Sequence, residues 1–96
     1  MRREHHNHVY LPTNFTNSVI YTGVTSDLKL RVAKHRSKDF GGFTAAYNVW
    51  TLVYFEEFGD IRNAISREKQ IKAGPRRRKI ELIEASNPTW RDLLGP

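Results

Sequence analysis

The strongest strand signal in the chain is the segment Val19-Ile20-Tyr21-Thr22-Gly23-Val24-Thr25, in which β-branched and aromatic residues predominate. A shorter run of the same kind, His8-Val9-Tyr10-Leu11, precedes it and ends at Pro12. The polar residues 13–18 separate the two runs. Two short strands joined by a short polar loop are most simply an antiparallel hairpin, and we predict one here.

The residues after the hairpin predict a helix, a loop and a third strand. Ser26 or Asp27 can N-cap a helix that ends near Arg36. Residues 37–48 form a predicted loop around two adjacent glycines. Residues 50–56 then read as a strand whose apolar side chains fall on both faces, which suits a strand covered on both sides.

Two further helices follow this strand. Asp60 can cap a helix over residues 61 to about 72, which Gly74 and Pro75 end. Pro75 is well placed in the first turn of a last helix, which reaches about Ser86. The order β-β-α-β-α-α predicts a small α/β (α+β) domain over residues 8–94, preceded by a frayed tail, residues 1–7.

Length and composition restrict the class of protein. The 96 residues are enough for one small domain, and the 39% hydrophobic content is enough for one core. The chain has no cysteine, which excludes disulfides and thiolate metal sites. No apolar run approaches the ~20 residues that span a bilayer, and no signal peptide is evident. We therefore expect a soluble, cytoplasmic protein without a membrane partner.

The charge balance favours a polyanionic partner. Sixteen Lys and Arg residues against ten Asp and Glu give a net charge of +6. Between residues 62 and 79 there are eight basic residues and one acid. Such a stripe indicates phosphate contact, although a solvated basic face or an anionic lipid surface is the alternative. The eight candidates are Arg62, Arg67, Lys69, Lys72, Arg76, Arg77, Arg78 and Lys79.

The one acid in this stripe, Glu68, falls on the predicted apolar face of its helix. It lies four residues after Ala64 and three after Ile65. A carboxylate there must be paired, hydrogen-bonded or bound to a cation, because an isolated buried charge is too costly. Divalent ions such as Mg²⁺ accept carboxylate oxygens, whereas a basic neighbour would pair with Glu68 without any function. Position alone leaves both interpretations open.

Other polar residues repeat this pattern. Arg31 and His35 fall on the side of the first helix that its apolar residues mark. Arg31 has the fork that binds phosphate, and His35 can exchange a proton, although each taken singly is more often a boundary residue. Tyr10 and Tyr21 lie on the two paired strands, where tyrosine is usually a packing residue. Gly23 marks a place where a ligand or a second backbone comes close.

These residues, in this order, resemble the GIY-YIG nuclease superfamily. The motifs are His8-Val9-Tyr10, Tyr21-Thr22-Gly23 and the helical Arg31, followed by Glu68. The segments 21–28 and 64–72, and the closing residues 82–93, are similar to its small stand-alone members. The resemblance covers residues 9–93, and departs where His8 and Thr22 stand in the two triplets.

The resemblance implies a three-stranded antiparallel sheet flanked by about three helices, and a metal-dependent active site. Glu68 would hold one divalent ion, Mg²⁺ or Mn²⁺, and Arg31 would contact the scissile phosphate. Tyr10 and Tyr21 would lie beside the attacking water and help to orient or deprotonate it. His35 would assist proton transfer, and Asn87 corresponds to a polar residue near the family's carboxy-terminal end.

The sequence therefore predicts an endonuclease that nicks DNA, with RNA as an open alternative substrate. No separate recognition domain fits in the chain, so specificity would come from DNA structure, a homodimer or a partner protein. The alternative is a nucleic-acid-binding module that keeps the fold without catalysis. A lipid-surface or protein-interaction domain is a third hypothesis, and it predicts DNA binding with little salt dependence.

Overall fold

The computed structural model describes residues 6–14, 16–36 and 51–94, without the side chains of His35 and Arg36. Within these ranges the chain forms three strands and three helices. The order β-β-α-β-α-α and the α+β class are confirmed, while the predicted loop over residues 37–48 lies outside the described ranges. The elements are β1 (Asn7–Thr13), β2 (Gly23–Thr25), α1 (Leu28–Arg36), β3 (Thr51–Phe58), α2 (Ile61–Ala73) and α3 (Arg76–Ser86).

The three strands form one antiparallel sheet in the order β2-β1-β3, so β1 is central and β2 is an edge strand. Tyr10 of β1 lies opposite Gly23 on one side and Phe55 on the other. A bridge between Thr13 and Ile20 continues the register of the β1–β2 pair towards the hairpin loop. This register fixes which side chains share a face of the sheet.

The helices cover opposite faces of the sheet. Val9 and Leu11 belong to a core cluster with Ala64 and Ile71 of α2 and Ile83 of α3. The intervening Tyr10 belongs instead to a cluster with Leu28 and Val32 of α1 and with Leu52. Because neighbouring strand residues point to opposite faces, α2 and α3 pack on one face and α1 on the other.

Strand boundaries differ from the sequence prediction. Strand β1 begins at Asn7, inside the predicted tail, and continues through Pro12, where the pairing with β3 shifts register. Proline is tolerated at such an irregularity because the ladder there does not require its missing N–H. Strand β2 is shorter than predicted, since Val19 to Thr22 lie outside it apart from the isolated bridge at Ile20.

The helix ends follow the predicted caps. The Asp27 carboxylate accepts a hydrogen bond from the Leu30 amide at 3.1 Å, and the Asp60 carboxylate accepts one from the Arg62 amide at 2.8 Å. The Gly74 amide closes α2 on the Ile71 carbonyl at 3.1 Å. Pro75 occupies the N-cap of α3, one residue before the helix, rather than its first turn.

Residues 87–94 return to the sheet after α3. The Leu93 amide donates to the Leu52 carbonyl at 2.8 Å, and Leu93 and Leu94 pack against the cluster that contains Tyr10. This segment therefore covers part of the same face as α1. Among the helices of the described ranges, none has the length and apolar content needed to cross a membrane.

Candidate active site

Tyr10 and Gly23 are in direct contact across β1 and β2. A Cβ atom added to Gly23 would lie 2.7 Å from Cζ of Tyr10 and 2.8 Å from its phenol oxygen. The Tyr10 residue is only 4% exposed, so the ring is held in place by its surroundings. Among the described residues, the close approach predicted at Gly23 is made by the aromatic ring of Tyr10.

Tyr21 lies on the same face of the sheet as Tyr10. Its amide donates to the Pro12 carbonyl at 2.9 Å, in the register set by the pairs Tyr10–Gly23 and Thr13–Ile20. Tyr21 is thus a diagonal neighbour of Tyr10, a relation that spans roughly 7–8 Å between backbones. Because Tyr21 is 38% exposed, one phenol is buried and the other is accessible to solvent.

Arg31 of α1 brings a positive charge to this face. Burial raises the pKa of the Tyr10 phenol, and the nearby Arg31 charge opposes this rise. Arg31 is half-buried, and its guanidinium makes no hydrogen bond or ion pair within the described ranges. A partly buried guanidinium without a carboxylate partner is an available binding group for an anion.

Glu68 lies on α2, between Ala64 and Ile71, and its side chain is 13% exposed. It therefore points towards the sheet, as the helical projection predicted. Lys72 is its partner, with Nζ 3.0 Å from a carboxylate oxygen. This pairing is the arrangement expected if Glu68 has no function, and a metal ion would have to compete with an exposed lysine for the carboxylate.

The course of α2 is expected to bring Glu68 level with the start of β2. Helix α2 begins at Ile61, which borders the same cleft as Thr25 at the end of β2. Beyond its other end, the Arg76 guanidinium donates to the Asn17 carbonyl in the hairpin loop at 3.1 Å. Seven residues of helix rise about 10 Å, which places Glu68 level with residues 21–23 of the opposing chain.

Thr22 adds an oxygen on the α2 side of the sheet. Its hydroxyl is buried and has no hydrogen-bond partner among residues 6–14, 16–36 and 51–94. The strand register turns Thr22 away from Tyr10, to the face that carries Glu68. The described ranges contain no group of three or more His, Cys, Asp or Glu residues able to hold a metal. One carboxylate and one hydroxyl fit a hard divalent ion that keeps several waters, such as Mg²⁺.

The structure therefore places the predicted residues in two groups. Tyr10, Tyr21 and Arg31 lie on the α1 face, and Glu68 lies on the α2 face, with edge strand β2 between them. His35 belongs to α1 by its backbone, and its side chain is outside the described part of the chain. An anion at the β2 edge would be accessible from both groups.

Asn87 is a structural residue in this geometry. It is 2% exposed, and its amide nitrogen donates to the Val53 carbonyl at 3.0 Å and the Arg91 carbonyl at 2.9 Å. Its amide oxygen accepts from the Arg91 backbone at 3.1 Å. These bonds fix the turn after α3 to strand β3, so the side-chain amide has no donor left for a substrate.

A half-buried ion pair next to Glu68 in the sequence, between Arg67 and Glu56, was not predicted. Arg67 donates to both carboxylate oxygens of Glu56, from Nε at 2.9 Å and from a terminal nitrogen at 3.0 Å, and also to Gln70 at 2.6 Å. Tyr54 donates to the same carboxylate. The only sequence signal was an acid, Glu56, at the end of an apolar strand.

This network shifts two pKa values in opposite directions. Burial, together with the hydrogen bond to Glu56 and its charge, raises the pKa of Tyr54 to about 12. Burial alone would raise the pKa of Glu56, but the hydrogen bonds from Arg67 and Tyr54 hold it below its usual range. The Glu56 carboxylate is therefore ionised at neutral pH and joins α2 to β3.

Some of the predicted phosphate-binding residues are already paired with a carboxylate, and others are accessible. Arg67 is committed to Glu56, Arg62 pairs with Asp60 at 2.9 Å, and Lys72 pairs with Glu68. On α3, Arg77 and Arg78 make only long, exposed contacts of 3.8 and 3.7 Å to Glu81. Such contacts are weak, so the start of α3 is the more available basic surface.

Comparison with known proteins identifies the family and the fold of the chain. The family profile of the GIY-YIG catalytic domain matches residues 6–81. The chain is 33% identical over 79 residues to a UPF0213 protein of Haloquadratum walsbyi, covering 82% of this chain and 88% of that protein. It is 35% identical over 81 residues to a UPF0213 protein of Clostridium perfringens, covering 84% and 86%. The solution NMR structure of a UPF0213 protein from Bacillus halodurans superposes with a TM-score of 0.58 at 26% identity, covering 95% of this chain and 99% of that one.

Proposed function

The chain belongs to the family of GIY-YIG catalytic domains, and we propose that it is a divalent-metal-dependent endonuclease that nicks DNA in the cytoplasm. The observation that carries the proposal is Arg31, a half-buried guanidinium that has no acidic partner among the described residues and lies next to a tyrosine packed directly on a glycine. A fixed cation beside two phenols suits a phosphodiester, whose reaction develops negative charge on the phosphate oxygens.

On the α1 face, Arg31 binds the scissile phosphate and Tyr10 and Tyr21 position the attacking water. Because burial raises the pKa of Tyr10, this phenol stays protonated at neutral pH and acts as a hydrogen-bond donor rather than as a base. Tyr21, the more exposed phenol, borders the incoming strand. His35, on the same helix, assists proton transfer in this proposal.

On the α2 face, Glu68 holds the divalent ion, Mg²⁺ or Mn²⁺, and the Thr22 hydroxyl on the same face offers an additional oxygen. When bound, the ion supplies positive charge at the phosphate and favours a water nucleophile. The buried, unpartnered Thr22 hydroxyl and the largely covered Glu68 carboxylate support this assignment. Lys72 is exposed, and it can leave Glu68 at little cost.

The two groups act together if the DNA strand passes across the exposed edge of β2. Arg31 and the tyrosines then approach the phosphate from one face of the sheet, and Glu68 approaches it from the other. Basic residues at the start of α3 bind neighbouring phosphates without reading sequence. One such site cuts one strand, so a double-strand break needs a second copy of the chain or a partner protein.

The second candidate is a nucleic-acid-binding module without catalysis. It is favoured by the ion pair between Glu68 and Lys72, which places an ammonium group where the metal would bind. Both candidates predict salt-dependent DNA binding, and only the first predicts metal-dependent cutting.

Nicking of supercoiled plasmid separates the two candidates. We expect the wild-type protein to form open circles with Mg²⁺ or Mn²⁺ and to be inactive with EDTA. Glu68→Gln should abolish nicking while DNA affinity, measured by fluorescence anisotropy, stays unchanged. The matched control is Glu81→Gln, an exposed glutamate on α3 that should nick like the wild type. Normal nicking by Glu68→Gln would eliminate the proposed metal site.

A further inference from the structure

An open cleft of about 700 Å³ lies where β2 ends and where α1 and α2 begin. Its volume is within the range of sites that bind small organic ligands. Of the residues that were given a role above, only Arg31 lines this cleft. Its walls include Asn7, Val24, Ser26, Arg31, Gly59 and Ile61.

We infer that the cleft holds the nucleoside attached to the phosphate that Arg31 binds, an inference that rests on the proposed function. The two ends of the cleft differ in charge. Arg31 has no acidic partner in the part of the chain that the structure describes, whereas Asp60, which also lines the cleft, is already bonded to Arg62 at 2.9 Å. A phosphate is therefore attracted to the Arg31 end, and the uncharged nucleoside extends towards Gly59 and Ile61.

The remaining residues that line the cleft suit a nucleoside base, which is a flat ring with polar edges. Ile61 is 41% exposed and Val24 is half-buried, so both offer apolar surface that a base or sugar can cover. Asn7 is a buried polar residue whose amide donates to the Gly59 carbonyl at a long 3.4 Å. This weak bond leaves the Asn7 amide able to bind a nucleoside edge.

Gly59 provides a way to fill the cleft without disturbing the fold. A Cβ atom added there meets no other atom within 4 Å, and the residue lies in a bend outside the helices and strands. Gly59→Trp should therefore occupy the nucleoside position, while Gly59→Ala serves as the matched control. Ile61→Trp fills the same space from α2 and is a second, independent variant, since Ile61 is already exposed.

The test is an NMR titration of the metal-free protein with thymidylyl-thymidine, compared with dimethyl phosphate, which has no nucleoside. We expect thymidylyl-thymidine to shift the signals of Ser26, Gly59 and the Asn7 side-chain amide, and dimethyl phosphate to shift only those near Arg31. Each Trp variant should weaken thymidylyl-thymidine binding by about tenfold or more, with dimethyl phosphate binding unchanged. Gly59→Ala should bind like the wild type.

Two outcomes would overturn the inference. One is that thymidylyl-thymidine shifts only the start of α3; the other is that both folded Trp variants bind it like the wild type. Plasmid nicking with Mg²⁺ distinguishes this failure from failure of the nuclease proposal. If the protein binds the dinucleotide in the cleft but cuts no DNA, the nucleoside site stands and the nuclease proposal fails. If the protein cuts DNA, and both Trp variants cut and bind like the wild type, the nuclease proposal stands and the nucleoside site is refuted.

Discussion

Gly23→Ala tests whether the contact between Gly23 and Tyr10 holds the Tyr10 phenol in place. The added Cβ would lie 2.7–2.8 Å from three atoms of the Tyr10 side chain. Carbon atoms in good contact are about 3.5–4.0 Å apart, so the overlap approaches 1 Å. Tyr10 is almost fully buried against Leu28, Val32 and Leu52, and its ring has little space into which to move.

The expected cost follows from two opposing terms. Overpacking of this kind destabilises a core by about 1–3 kcal/mol. Replacing a strand glycine by alanine returns roughly 0.5–1 kcal/mol of backbone entropy. Because three atoms of one fixed side chain overlap, the strain prevails, and we expect a net loss of about 1–2 kcal/mol. For a domain of this size the melting temperature should fall by roughly 5–15 °C.

The assay is urea unfolding, followed by circular dichroism, of Gly23→Ala and of the control Gly59→Ala. The control adds the same methyl group where nothing lies within 4 Å, so its stability should stay within about 0.5 kcal/mol of the wild type or rise. In a Tyr10→Leu background, which lacks the ring, Gly23→Ala should cost less. Equal stability of Gly23→Ala and Gly59→Ala in the wild-type background would refute the reasoning.

The same substitution should lower nicking. A phenol displaced by about 1 Å is expected to reduce the rate on the order of a hundredfold. The rate is compared with that of Gly59→Ala at a temperature where both variants are folded. Full activity of Gly23→Ala would mean that the position of Tyr10 does not matter for the reaction.

Three further predictions concern the ion pair, the buried amide and the basic surface. Hydrogen bonds from Arg67 and Tyr54 outweigh the effect of burial and hold the pKa of Glu56 below its usual range, so its contribution to stability is present above the unfolded pKa and is lost as pH falls through the native pKa. Glu56→Gln should therefore lose less stability than the wild type as the pH falls from about 5 to about 2, and identical pH profiles would contradict this. Asn87→Ala removes three side-chain hydrogen bonds and should cost about 2–3 kcal/mol in thermal unfolding; a loss below that would show that the turn is held by other contacts. The double variant Arg77→Ala, Arg78→Ala should lower the slope of log affinity against log salt by about 1–2, and an unchanged slope would place the DNA elsewhere.

Local sequence was enough to predict the elements and their caps. Asp27 and Asp60 bond the first amides of α1 and α2, as short polar side chains before an apolar periodic segment do. The apolar spacing in α2 correctly predicted that Glu68 lies on the covered side of the helix. These features depend on residues within one turn of each other, so the chain encodes them without reference to distant partners.

Partners far apart in sequence were decided by the tertiary structure. The pattern of basic residues did not reveal that Arg67 forms an ion pair with Glu56, eleven residues earlier. The glycine in the second triplet predicted a close approach, but only the register of β1 against β2 identified Tyr10 as the neighbour. The resemblance drew attention to Asn87, but only the tertiary structure showed that its amide donates to the Val53 carbonyl on β3, 34 residues earlier.

The sequence by itself therefore determined which residue types stand at strand and helix positions, and hence the fold class and the family. The tertiary structure alone decided that α1, which carries Arg31, and α2, which carries Glu68, pack on opposite faces of the sheet, and that a cleft opens beside Arg31. The physical reason is that periodicity and capping are local interactions. Strand register and helix packing are set instead by burial of apolar surface across the whole domain, which no short segment records.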